Sequence, residues 1–190
     1  MGPIGRSDTG RPLLETPRLL LRPFEPADAA DVQRLAGERA IADTTRNIPH
    51  PYADGMAEAW IESQERGFAA GRLVNFAITL RGERTLIGSI GLTLDPELCG
   101  TAQLGYWVGV PYWNRGYCTE AACAVVDYGF SRLGLERIHA HHLVRNPASG
   151  RVLAKTGMRE EGLARESPDE DGPPEDIVLY GIGRADRPRS

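Results

Sequence analysis

The sequence predicts an α/β fold, one mixed and mostly antiparallel sheet with helices on both faces. Three observations predict it. Short runs rich in β-branched and aromatic residues alternate with segments whose apolar residues recur at helical spacing. Helices and strands interleave instead of forming separate blocks. A chain of 190 residues, 41% of them hydrophobic, is long enough to bury one sizeable core.

Residues 1–12 hold three glycines, two prolines and few apolar side chains, and read as a flexible tail. Residues 19–24 read as a first strand. Residues 26–39 read as a helix, with Asp28 and Asp31 early in it, where a carboxylate complements the dipole. Residues 42–52 are irregular, because Pro49 and Pro51 break any helix. Residues 54–70 form a second helical region that ends near Gly71. Three strands follow at 75–80, 86–94 and 102–108, the first two joined by a turn at Arg81-Gly82-Glu83-Arg84. A third helix spans 116–133, with Ala122, Val125, Val126, Phe130 and Leu133 on one face. Gly134 followed by Leu135 has the form of a left-handed cap with its apolar contact. A strand at 137–143, a short helix at 149–155 and a last strand at 177–182 complete the order. Residues 165–176 are acidic and proline-rich and read as a mobile hairpin loop. The domain is expected over 13–183, with a C-terminal tail at 184–190.

Composition narrows the function. The net charge of −4 argues against general binding to nucleic acid or to an anionic membrane. No charged-then-apolar leader and no apolar run near 20 residues is visible, and Arg6 stands where N-myristoylation needs Ser or Thr. Cys99, Cys118 and Cys123 have no metal-like spacing, which fits a reduced, cytoplasmic compartment. His139, His141 and His142 lie on one strand without partnering ligands, so no metal is expected.

The chemistry concentrates at Trp113-Asn114-Arg115-Gly116-Tyr117-Cys118-Thr119-Glu120, between a strand and a helix. The first N–H groups of a helix lack intrahelical partners, and the dipole there favours an anion. Gly116 carries no Cβ to hold a ligand away. The segment therefore points to a phosphate-bearing ligand, although a structural turn reads equally well from the pattern alone. No P-loop and no dinucleotide fingerprint is present.

A second segment, Asn146 to Met158, reads NPASGRVLAKTGM. With Glu15 to Arg22 (ETPRLLLR) and Leu104 to Glu120, it resembles the GNAT superfamily of N-acetyltransferases in its Rim-type branch, relatives of the ribosomal-protein N-terminal acetyltransferases. The resemblance implies a GNAT fold in which two parallel strands, here 102–108 and 137–143, splay apart around acetyl-CoA. It implies that Val108, Gly109 and Val110 pair with the pantetheine arm, and that a backbone N–H near Val108 polarises the thioester carbonyl. Arg115, Gly116, Tyr117, Cys118 and Thr119 hold the pyrophosphate in this reading, Asn146 binds the pantetheine amide, with a cap or turn residue as its alternative role, and Arg151 belongs to the same cofactor-binding set. Ser149 contacts the thiol and supplies its proton, with helix N-cap as the alternative role. Val108, Ser149 and Asn146 thus form the expected catalytic set, while Tyr52 and His50 are expected at the acceptor, with surface packing an equal alternative for both. Trp113 and Cys118 depart from the superfamily's loop pattern, and helix-terminal placement predicts a lowered thiol pKa at Cys118. No Tyr lies between Asn146 and Met158, where many relatives carry the thiol's proton donor. The base is open: Gln103 cannot take a proton, and Glu160, Glu161, Glu166 and Asp176 are candidates. A weak base suits an α-amine, which at pKa ~8 is about one-tenth neutral at pH 7, better than lysine at ~10.4.

The expected activity is transfer of acetyl from acetyl-CoA to a primary amine by direct attack in a ternary complex, with a protein or peptide N-terminus as acceptor. A polyamine or aminoglycoside acceptor, and an acetyl-CoA-binding sensor or scaffold without turnover, stay open. So does a homodimer. Neither nucleic acid nor membrane is an expected partner.

Overall fold

The computed structural model describes residues 4–6, 10–166 and 174–186. Nine strands form one sheet: β1 Ile4–Arg6, β2 Pro12–Glu15, β3 Leu19–Arg22, β4 Leu73–Leu80, β5 Leu86–Leu94, β6 Thr101–Val108, β7 Arg137–Leu143, β8 Arg159–Glu166 and β9 Glu175–Gly183. Their order is β1-β2-β3-β4-β5-β6-β7-β9-β8. Among the described strands only β6 and β7 run parallel. The five α-helices are α1 Ala29–Ala36, α2 Arg39–Ala42, α3 Met56–Ala69, α4 Tyr117–Ser131 and α5 Pro147–Lys155.

Strand alternation sends side chains to two cores. On one face, α4 and α5 cover Phe76, Ile90, Leu92, Leu104 and Ile138 with Ala122, Val125, Phe130 and Leu153. Phe76 meets Tyr128 edge-on, with ring centroids 5.9 Å apart, a favoured aromatic geometry. On the other face, α1, α2 and α3 bring Val32, Leu35, Ile41 and Ile61 against Ala77, Leu86 and Trp107. The cap read at Gly134 is present: Gly134 has φ +71°, Leu135 N–H donates to Gly129 O (3.1 Å), and Leu135 is buried.

Several expectations need correction. The segment read as a tail over 1–12 contributes β1, which pairs with β2. The helix expected over 26–39 breaks into a 3-10 turn, Pro26–Asp28, and two helices. Asp28 is not free to complement a dipole. It accepts from Arg22 Nη1 (2.7 Å) and Nη2 (2.6 Å) and from Glu25 N–H (2.8 Å). Strand β8 was not foreseen, because its sequence REEGLARE is mostly polar; its backbone pairs with β9 across a bulge at Glu160/Gly162. The loop read over 165–176 falls largely outside the described residues. A 3-10 turn, Arg184–Asp186, occupies the start of the expected C-terminal tail, and Arg184 Nε and Nη2 donate to Leu135 O (2.9 and 2.7 Å).

Candidate active site

The site begins where β6 and β7 part. They pair at Thr101↔Arg137, Ala102↔Ile138 and Gln103↔His139 and no further. Beyond that rung a cavity of about 650 Å³ opens between them. Its backbone edge follows from the pairing of β6 with β5. Gly109 N–H donates to Ile87 O (2.8 Å) and Asp95 N–H to Thr101 O (3.0 Å), so odd-numbered residues of β6 bond to β5. In an antiparallel ladder the bonding direction alternates. Leu104, Tyr106 and Val108 therefore turn their N–H and C=O groups towards β7, and those beyond the Gln103↔His139 rung face the gap that β7 has left.

This geometry redistributes the groups expected to meet a pantetheine arm. Gly109 N–H is engaged with Ile87. Trp113 Nε1 donates to Val108 O, and Trp113 N–H donates to Val110 O (3.1 Å). The Val108 N–H and the edges of Tyr106 and Leu104 are the groups that line the opening.

The loop after β6 leads into α4. Asn114 and Gly116 have φ of 60° and 78°, a left-handed backbone that suits glycine and asparagine. The turn aims the start of α4 at the cavity. The first bond of the helix is Glu120 N–H to Gly116 O (3.0 Å), so the N–H groups of Tyr117, Cys118 and Thr119 have no intrahelical acceptor. All three residues line the cavity, with Gly116; Arg115 is in the same loop and does not line it.

An anchor that sequence reading missed holds this loop. Glu120 accepts from Thr16 Oγ1 (2.6 Å), Arg18 N–H (2.9 Å) and Arg18 Nε (2.7 Å). Arg18 Nη1 also donates to Arg115 O (2.9 Å), and its guanidinium lies 4.7 Å from the Tyr117 ring centroid. Burial alone would raise the Glu120 pKa; the bonds from Thr16 and Arg18 overcome it and hold the carboxyl below its ordinary value. The ETPR block therefore acts by fastening the loop from 102 residues away.

The expected thiol contact lies across the gap. Asn146 is the N-cap of α5. Its Oδ1 accepts from Ser149 N–H (3.3 Å) and its Nδ2 donates to Thr44 O (3.0 Å). The capping role weighed for Ser149 belongs to Asn146. The Ser149 hydroxyl instead lies 2.8 Å from Tyr106 Oη. A tyrosine thus lies beside Ser149, supplied by β6 and not by the helix. Burial first of all raises the Tyr106 pKa, so the phenol is protonated in the resting site. Cys118 reverses its expectation: desolvation of the sulfur pushes its thiol up to about 12, outweighing the helix terminus. Arg151 lines the cavity with Lys155.

The opposite half of the cavity faces α2 and α3. Its polar lining includes Thr44, Arg46, Gln64, Asn75, Gln103 and His141. Ser89 Oγ donates to Asn75 Oδ1 (3.0 Å), and Asn75 Nδ2 donates to Gln64 Oε1 (3.1 Å). Neither Tyr52 nor His50 reaches this space. Tyr52 packs beside the α1–α3 core, and His50, within 3.1 Å of Gly37 O, borders a separate cavity of about 360 Å³. The base candidates Glu160, Glu161 and Asp176 also lie elsewhere: Tyr180 Oη donates to Glu160 (3.5 Å), Glu161 pairs with Arg137, and Asp176 faces Arg165 (3.7 Å). The Glu166 side chain is outside the described set. Gln103, Tyr106 and His141 are the site residues that geometry adds.

Residues 18–159 match the acetyltransferase (GNAT) domain family, and the chain belongs to that family. Among its relatives, the Uncharacterized N-acetyltransferase YoaA of Bacillus subtilis is 31% identical over 176 residues, 90% of this chain and 96% of that protein. The ribosomal protein uS5 alanine N-acetyltransferase of Escherichia coli is 32% identical over 83 residues, 44% of this chain and 43% of that protein. The solved structure of Mycobacterium smegmatis RimJ in complex with CoA-disulfide superposes with a TM-score of 0.80 at 27% identity, over 90% of this chain and 85% of that one. The chain is an N-acetyltransferase of the GNAT class, with its likeness on the Rim-type branch.

Proposed function

We propose that this protein moves an acetyl group from acetyl-CoA to a primary amine by direct attack in a ternary complex, and that the acceptor is a protein or peptide N-terminus. The observation that carries the reading is the gap between β6 and β7, edged by the backbone of Tyr106 and the N–H of Val108 and leading to the start of α4. An extended amide-bearing arm can pair there as a strand does. The three N–H groups of Tyr117, Cys118 and Thr119 suit its pyrophosphate. The complex of RimJ with CoA-disulfide supports this assignment.

The residues divide the work. Val108 N–H stabilises the oxyanion as the amine attacks, a role whose loss costs about 3–4 kcal/mol in comparable sites. Ser149 Oγ gives a proton to the departing sulfur, and Tyr106 Oη–H refills it. Asn146 fixes Ser149 by capping α5. The acceptor class follows from charge. Among the described residues lining the cavity, none is Asp or Glu, while Arg46, Arg151 and Lys155 are basic. A polyamine or aminoglycoside brings several positive charges and finds no counter-charge there. A single α-amine asks for none, and the uS5 relative acts on an alanine of a ribosomal protein.

The test is release of CoA thiol from acetyl-CoA with N-terminal peptides, polyamines and aminoglycosides. Release with peptides alone is the expected result. Release with polyamines alone overturns the acceptor assignment, and tight CoA binding with no release across the panel favours a sensor or scaffold.

A further inference from the structure

We propose that His141 is the general base for the attacking amine and that Gln103 holds it in the required tautomer; this rests on the acetyl-transfer reading above. His141 stands two residues beyond the last rung of the β6–β7 pair and lines the same cavity as Tyr106 and Ser149. Its Nδ1 lies 3.0 Å from Gln103 Nε2, and its Nε2 lies 3.3 Å from Arg46 Nη1.

The Arg46 contact, taken with a half-turn of the Gln103 amide, sets the ring's protons. A guanidinium only donates, so Nε2 accepts and the ring is neutral, with its proton on Nδ1. Nδ1–H then donates to Gln103, which must present its carbonyl oxygen; the oxygen and nitrogen of a Gln amide exchange by a half-turn. The result is an imidazole whose lone pair, on Nε2, points to the acceptor half of the cavity. Gln103 is useful because it cannot take the proton itself.

No other described residue lining the cavity fits the task. It has no carboxylate there. His142 has Nδ1 within 2.9 Å of Leu143 O, its Nε2 abuts Gly150, and its ring packs on Tyr180. The Cys118 thiol and the Tyr106 phenol are both held protonated by burial. The charged and titratable neighbours of His141 among the described residues include Arg46 from the segment after α2, His139 two residues back on β7 and, in the adjoining cavity, the Arg145–Glu175 pair. Its partner on β9 is Leu179 and on β6 Gln103, both uncharged.

The step balances. The amine lone pair forms the C–N bond, and the C–S pair leaves with sulfur. The proton shed by nitrogen passes to His141 Nε2, where its N–H replaces that of Arg46. Sulfur takes a proton from Ser149, refilled from Tyr106, and water resets both ends.

The experiment measures kcat/KM against pH with an N-terminal peptide acceptor for wild type, His141→Asn and His141→Ala, with CoA affinity measured alongside. His141→Asn should lose about 10²–10⁴-fold in kcat/KM at neutral pH, lose the acid limb of the profile and keep CoA affinity. Added imidazole should restore part of the His141→Ala activity, which a purely structural role would not allow. Full activity of His141→Asn overturns the base assignment alone. Absence of thiol release by the wild type overturns the acetyl-transfer reading and the base with it. A second measurement needs no acceptor: ¹⁵N resonances of wild-type His141 should report a protonated Nδ1 and a bare Nε2, and the opposite tautomer overturns the proposal.

Discussion

Replacing Tyr106 with Phe removes one oxygen from the cavity, and its consequences for stability and rate separate. Tyr106 Oη lies 2.8 Å from Ser149 Oγ and 3.2 Å from Ser149 O. Without it the Ser149 hydroxyl loses its protein partner in a half-buried place on the cavity wall, at a cost of about 0.5–1.5 kcal/mol. For a chain of this length each kcal/mol lowers Tm by roughly 2–4 °C, so a fall of about 1–6 °C follows. The rate effect is larger. A positioned proton donor is worth about 10²–10⁴-fold, and Ser149 alone has no adjacent donor to refill it. The assay compares kcat for wild type and Tyr106→Phe with acetyl-CoA and with an acetyl thioester of a more acidic thiol. A better leaving group needs less protonation, so the deficit should shrink with the second donor. An unchanged kcat, or an equal deficit with both donors, would refute the relay.

Four further outcomes follow from the same geometry. Asp28→Asn breaks a buried two-pronged pair with Arg22 and should cost about 3–5 kcal/mol in urea unfolding, while Asp28→Leu with Arg22→Met should recover most of it. Gly105→Val places a branched side chain where a Cβ meets nothing within 4 Å, on the cavity wall; KM for the acceptor should rise at least several-fold with CoA affinity unchanged, as read by steady-state kinetics. Cys118, with its thiol near 12, should alkylate far more slowly at pH 8 than exposed Cys99, a contrast that peptide mass mapping reads directly. Glu120 has a lowered folded pKa, so its contribution is present above the unfolded value and fades as pH falls through the folded one; the stability gap between wild type and Glu120→Gln should therefore close on acidification.

The sequence carried the strands and helices whose apolar residues alternate or repeat, because those patterns are the cause of the packing. Strand β5 was read at its observed bounds, Leu86–Leu94, and β7 at Arg137–Leu143. It did not carry β1 or β8, whose place in the sheet is set by backbone pairing and not by side-chain pattern. The phosphate-side loop was visible because glycine and a helix start are local features. Tyr106, Gln103 and His141 were not, since their roles arise from contacts spanning 38 and 43 residues. Cys118 was misread for a related reason: the helix terminus is written in neighbouring residues, and the burial that outweighs it is not.

The gap between β6 and β7 is a slot through the sheet, with α4 and α5 on one side and α1 to α3 on the other. In the proposed reaction, a slot lined from both faces would let donor and acceptor meet without passing one another. It also divides recognition into two independent vocabularies. On the proposed reading, one wall would meet its guest with main-chain amides, which are indifferent to most changes of side chain. The other would meet it with Arg46, Gln64, Asn75 and their neighbours, where a substitution changes what fits. Such a protein can be redirected to a new amine by altering one wall, while the machinery that delivers the acyl group stays as it was.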